Sequence, residues 1–259
     1  MAAICRFCGA AEAIAVAAWP EWATRLITDE ADTHFGPRAV ESVRTQILKA
    51  LPREMREDFI AARKIRVACK RCHHGWMRRI DAQVRPLFIP LVTGSELLLT
   101  LAVQRALAAW VAKTVMIAEF ASSEGVITSD RERETLRRTG EPPASWNIWI
   151  AKSSGHHWAA RYVRHTAGLG PVGRKGVTKD TQSVTLGMGR ILVHAMSSTV
   201  PGMKFELPGK AETFHFLWPV GKATVWPPRS TLDHYEVEDF NQGFNRDFGT
   251  PEVEHIGIA

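Results

Sequence analysis

The four cysteines of this chain fall into two C-x-x-C pairs, Cys5-Arg6-Phe7-Cys8 and Cys69-Lys70-Arg71-Cys72, and none is left over. Each pair presents two soft thiolates from one turn, so the two pairs can close a tetrahedral four-thiolate site around structural zinc. Such an ion has no open position, and it holds a fold rather than performing chemistry. The sixty residues between the pairs exceed the usual zinc-ribbon gap, and unmetallated thiols are the competing reading.

With no cleavable apolar segment at the start, this cysteine usage points to a reducing, cytoplasmic setting rather than to disulfides. The longest apolar tract, Leu87 to Phe120, is interrupted by Glu96, Gln104, Arg105 and Lys113 at helical intervals, so it reads as a core helix and not a membrane span. Net charge is +6, and the excess is local. Arg63, Lys64, Arg66, Lys70, Arg71, Arg78, Arg79 and Arg85 crowd into residues 60 to 85 against a single Asp81. An anionic partner needs such a cluster, and Lys64, Arg66, Lys70, Arg71, His74, Arg78 and Arg79 are the candidate contacts to nucleic acid, DNA in preference. A solvated basic surface is the plainer account of the same residues.

Along the chain, residues 1 to 10 read as a short strand and a knuckle that turns at Gly9. Ala10 to Ala18 has no period. Pro20 can open a helix through Leu26, and Val40, Val43, Ile47, Leu48 and Leu51 recur at helical spacing. Ile65 to Ala68 alternates as a strand into Cys69, after which Gly75 to Val84 is helical with Trp76, Ile80 and Val84 on one face. The spacing predicts a buried helix from Glu96 to Phe120 and an exposed charged helix from Arg131 to Arg138. Beyond Pro142-Pro143 come β-branched and aromatic segments: Trp146 to Ala151, Tyr162 to His165, Ser183 to Ala195, Thr213 to Trp218 and Ala223 to Trp226. A basic loop from Ala167 to Thr181, a short helix from Leu232 to Phe240 and a loose tail after Gly249 complete the reading. The class is α+β, with a zinc-clamped domain at 1–140 and a β-rich domain at 141–259.

Taken together, several stretches resemble the HNH endonuclease-like proteins of bacteria and phages. They are the N-terminal C-x-x-C, the Pro-x-Trp at Pro20 to Trp22, and Val67-Ala68-Cys69-Lys70-Arg71-Cys72-His73-His74-Gly75-Trp76-Met77. The likeness extends through Leu91 to Gly94, Trp110 to Thr114, Trp218-Pro219 and Val225 to Pro228. It implies a treble-clef (ββα-metal) fold in which a four-cysteine zinc clamps an element that holds one catalytic divalent ion, Mg²⁺ or similar. Phosphodiester hydrolysis of nucleic acid is the activity it implies, with His73 as a helix-borne metal ligand.

One half of that apparatus departs from the family. The pattern Glu-His-x-x-Pro, counted back from Pro20, puts Val16 where the carboxylate belongs and Ala17 where the general base belongs. Neither side chain can bind a metal or take a proton. The family's asparagine before the third cysteine is replaced by Lys64 and Ile65. Natural degeneration to a zinc-stabilised DNA- or RNA-binding protein accounts for this, as does deliberate inactivation, because Ala17-Ala18 is what a two-residue alanine replacement looks like. A third account moves the base to His34, in Asp32-Thr33-His34-Phe35-Gly36-Pro37. As written, the chain is expected to cleave poorly or not at all. An interaction protein of a phage or defence system is the remaining class, and an exposed apolar patch on the C-terminal sheet would be its mark. His156-His157 reads as an ordinary sheet-edge pair.

Overall fold

The computed structural model describes residues 3–20, 22–23, 64–154, 158, 160–169, 179–207, 212–244 and 252–255. His34, the helix expected at 37–51, residues 21 and 24–26 of the helix expected from Pro20, and His156-His157 lie outside them. The architecture is α+β.

Strands β1 (Ala13–Ala17) and β2 (Lys64–Cys69) form an antiparallel pair in which Ala13 faces Cys69 and Ala17 faces Lys64. The alanine-rich stretch without period is therefore a strand. Alanine has little strand preference of its own, and it is the partner, far along the chain, that supplies the ladder. Between Ile14 and Ala15 the register jumps from Ala68 to Arg66, so Val67 is an extra residue in β2, a bulge that bends the strand.

From β2 the chain turns straight into a helix. One turn at Lys70–Cys72 is followed by a wider π-helical turn at His73–Met77, kinked at Gly75, and then by α1 (Arg78–Thr93). Trp76, Ile80 and Val84 are buried as their spacing predicts, but the helix runs nine residues past Val84 and includes Pro86 and Pro90. Phe88, Leu91 and Val92 carry the buried stripe onward. Pro86 lies on the exposed side, where the carbonyl it leaves without an amide partner can bond to water. Gly94, at φ +71°, ends the helix in the left-handed region.

The helix expected from Glu96 starts later. Leu97–Leu99 is a strand, β3, antiparallel to β9 (Thr224–Trp226). Three successive leucines carry no period, and the partner strand decides between the two structures. Thr100 then caps α2 (Leu101–Ala118), its hydroxyl accepting from the Val103 N–H at 3.2 Å. Every residue of α2 from Leu107 to Ala118 is buried, so this is a central helix. Residues 101–121 are long and apolar enough to cross a membrane, yet 72% of their most apolar 18-residue window is buried within the protein. Helix α3 (Asp130–Thr139) opens with a capping box between Ser129 and Glu132.

A seven-stranded sheet follows, in the order β10-β4-β7-β6-β5-β11 with β8 also paired to β4. Its strands are β4 (Trp146–Ser153), β5 (Ala160–Ala167), β6 (Thr181–Met188), β7 (Ile191–Ser198), β8 (Phe214–Trp218), β10 (Thr231–Leu232) and β11 (Glu252–His255). All pairings are antiparallel except β10 with β4. The segment read as one strand from Ser183 to Ala195 is the β6–β7 hairpin, turning at Gly189 with φ +55°. The tail expected to be loose supplies β11, which satisfies the edge of β5.

Alternation divides the sheet into two buried faces. Ile148, Ile150, Val184, Leu186, Val193 and Ala195 join α1, α2 and the cysteine region in one core. Residues on both sides of position 140 contribute to that core. Trp149, Val163, Leu192 and Met196 face the other way, under Trp158 and helix α4 (His234–Gly243). A Cβ on Gly187 would lie 1.7 Å from the Trp158 carbonyl oxygen, so only glycine fits beneath that crossing chain.

Candidate metal centre

The Sγ atoms of Cys5, Cys8, Cys69 and Cys72 all lie within 4.8 Å of one another. Cys8 and Cys69 are 3.7 Å apart, too far for an S–S bond of about 2.05 Å and close to the roughly 3.8 Å edge of a tetrahedron with Zn–S near 2.3 Å. All four thiols are free. Donor type, number and spacing thus fit one metal ion such as zinc, and Cys5, Cys69 and Cys72 are buried while Cys8 is exposed.

Local structure accounts for this convergence. The first pair sits on a turn in which the Gly9 N–H donates to the Cys5 carbonyl at 2.9 Å and the Cys5 N–H to Ala10 at 2.7 Å, and Gly9 itself has φ +72°. The second pair spans the end of β2 and the first helical turn, so Cys69 and Cys72 point to one side. The β-bulge joins the two: the Arg6 N–H donates to the carbonyl of Val67, the extra residue, at 2.8 Å. Phe7 packs edge-on against Trp76 at 5.3 Å, and Trp76 is a core residue of the knuckle.

The electrostatics lean toward thiolate at one ligand and away from it at another. Burial acts to raise the Cys5 thiol, but backbone donors at Cys69, Phe7 and Cys8 outweigh it and bring the group down to about 7. Burial pushes the Cys72 thiol up, with the Trp76 indole acting in the opposite sense. The indole nitrogen has no other acceptor among the described residues, which suits a neighbouring thiolate.

Around this cluster the other candidate residues divide. Lys64, Arg66, Lys70, Arg71, His74, Arg78 and Arg79 are all exposed and follow one another along β2 and the helix, with Arg85 further on. His73 is half-buried at the start of the π-helical turn, its ring 4.9 Å from that of His74. Burial, then the neighbouring His74, lower its pKa, and Asp81 opposes them. Val16 is buried opposite Ile65, and Ala17 is half-buried opposite Lys64. The register sets Ala17 four residues from Ala13, the partner of Cys69, or about 13 Å along the ribbon at ordinary strand rise.

Two features were not legible in the sequence. Lys113, expected as a polar interruption of a helix, is buried and donates to Asp81 of α1, with its ammonium 5.9 Å from the centre of the Trp110 ring. Burial lowers its pKa and Asp81 acts to raise it. Helix α3, expected to be exposed, buries Leu136 and Arg133. No protein-family model, curated protein or solved structure matches this chain.

Proposed function

We propose that this chain is a zinc-clamped protein of the HNH endonuclease type that binds nucleic acid through the basic face of β2 and the following helix. The observation that carries the reading is the order of parts. A cysteine knuckle, two paired strands and a helix run in sequence, with four thiols gathered where knuckle and helix meet and seven basic or histidine side chains exposed alongside. That order is also the plan of a treble clef.

In this reading zinc closes the fold and the chain's own residues do the binding. Lys64 and Arg66 lie on the strand, and Lys70, Arg71, His74, Arg78 and Arg79 on the helix, so phosphates along one strand of a duplex can be met by successive cations. A divalent ion such as Mg²⁺ would supply charge stabilisation at a scissile phosphate, with His73 as the one family-type ligand present. The positions of the carboxylate and base are filled by Val16 and Ala17, which neither hold a metal nor accept a proton. Binding without efficient cleavage is the expected behaviour, in a cytoplasmic setting.

Two measurements on the zinc-loaded protein test this. Affinity for duplex DNA should fall steeply with salt, and replacing Arg78 and Arg79 together by alanine should reduce the slope of log K against log salt by about 2. Plasmid nicking with Mg²⁺ should stay at background. Robust nicking that is lost in His73→Ala would overturn the claim of inactivity, and no binding at low salt would overturn the nucleic-acid reading as a whole.

A further inference from the structure

Arg133 is 5% exposed, and one of its donors reaches the knuckle while the other two bind the start of its own helix. Nε donates to the Arg6 carbonyl at 3.1 Å, one terminal nitrogen to the Thr128 carbonyl and the other to Asp130 Oδ1 at 2.6 Å. Its guanidinium and that of Arg6 lie 5.2 and 5.6 Å from the centre of the Phe120 ring. Arg6 stands between Cys5 and Cys8, and its two backbone groups are held from different elements, the N–H by Val67 of β2 and the carbonyl by Arg133 of α3.

We propose that Arg133 is a positioning residue of the four-cysteine metal centre. It acts through the Arg6 carbonyl. The peptide unit after Arg6 leads directly to Phe7 and Cys8, so fixing that carbonyl fixes the direction in which the Cys8 thiol leaves the turn. Cys8 needs such an anchor, because it is the exposed ligand of the four and lacks the burial that holds Cys5, Cys69 and Cys72. The guanidinium charge is itself paired with Asp130, so the role of Arg133 at the centre is geometric, through its donor to the knuckle backbone. Lysine would keep the charge but not the fork of donors.

The inference rests on the zinc reading, and one set of measurements separates the two. Zinc affinity is measured by chelator competition, and the Co²⁺-loaded protein by its thiolate absorption, for the full chain and for Arg133→Met, Arg133→Lys and Leu136→Ala. Leu136 is a fully buried apolar residue of α3, so its truncation loosens the helix without removing a donor to the knuckle. Arg133→Met should weaken zinc about 10- to 100-fold and disturb the Co²⁺ spectrum. Arg133→Lys should fall between it and the parent, while Leu136→Ala keeps the parent affinity and spectrum despite a lower melting temperature. Parent-like affinity in both Arg133 variants overturns the proposal, as does an equal loss in Leu136→Ala. A parent chain that takes up neither Zn²⁺ nor Co²⁺ overturns the metal reading itself. Should Arg133→Met not fold, Arg133→Lys against Leu136→Ala decides.

Discussion

The β1–β2 ribbon consists of five- and six-residue strands with few large apolar side chains, whereas β4, β6 and β7 each span eight residues, β4 and β7 placing side chains in both cores and β6 in the first. A two-stranded ribbon is marginal in water. The first region therefore leans on four thiols, a bulge carbonyl and a buried arginine, while the second leans on apolar area and on a polar network sealed inside it. In that network Arg164, fully buried, donates to Gln182 at 2.9 Å, to Ser122 at 2.6 Å and to the Gly125 carbonyl at 2.9 Å, and Glu119 accepts from the Thr128 N–H at 3.1 Å. Burial raises the Glu119 pKa, and the Arg164 charge opposes it. Directional contacts hold both regions, and the apolar side chains the ribbon adds to the shared core, such as Val16 and Val67, are smaller than the tryptophans and isoleucines of β4.

The sharpest way to break this comparison is to remove the metal that the four thiols are proposed to hold. Structural zinc is worth on the order of 10 kcal/mol in small domains. A strong chelator, or Cys69→Ser, should therefore abolish amide protection in the first cysteine turn, β1 and β2 in hydrogen exchange and leave β4, β6 and β7 protected. Equal loss across the sheet would show that the two regions stand or fall together.

The converse test acts on the sheet. Gly187→Ala forces a Cβ into the Trp158 carbonyl and should cost more than about 3 kcal/mol in denaturant unfolding. Zinc uptake, counted per folded chain, should match that of the parent.

A smaller effect comes from acid. His194 is fully buried, its Nδ1 3.0 Å from Thr185 Oγ1, and its ring is stacked on Phe244 and edge-on to Phe240. Burial, and next the neighbouring His165, depress its pKa to about 3. The folded state holds this ring neutral while the unfolded chain protonates it near pH 6.5. Its contribution is therefore intact above about pH 6.5 and declines as pH falls toward 3, by about 1.4 kcal/mol per unit. Between pH 6.5 and 5 the sheet should lose about 2 kcal/mol, measured by urea unfolding followed through tryptophan fluorescence. A flat profile over that range would mean that the unfolded chain shields the ring equally well.

Local pattern made part of this legible. The two C-x-x-C pairs have the spacing of metal ligands, and in the structure they meet, because ligand chemistry depends on residue type and short separation alone. The strand into Cys69, the inward face of Trp76, Ile80 and Val84, and the helix after Leu232 were readable for a similar reason, since a period of two or 3.6 is a local property. The strand in Ala13–Ala17, the strand rather than helix at Leu97–Leu99 and the pairing of Glu252–His255 were not. Each is a strand whose ladder is completed by residues distant in sequence, and nothing in its own composition announces the partner.

The same distinction runs through the candidate site. Sequence alone determined which side chains can ligate, which are cations, and that Val16 and Ala17 can be neither acid nor base, because those are properties of the side chains themselves. Tertiary structure decided that Arg133 of a charged helix turns inward to the Arg6 carbonyl, that Lys113 is buried against Asp81, and that Val67 is the extra residue whose carbonyl takes the knuckle's N–H. These depend on which surfaces meet, and a single charged residue in a helix carries no mark of whether it will face water or another backbone.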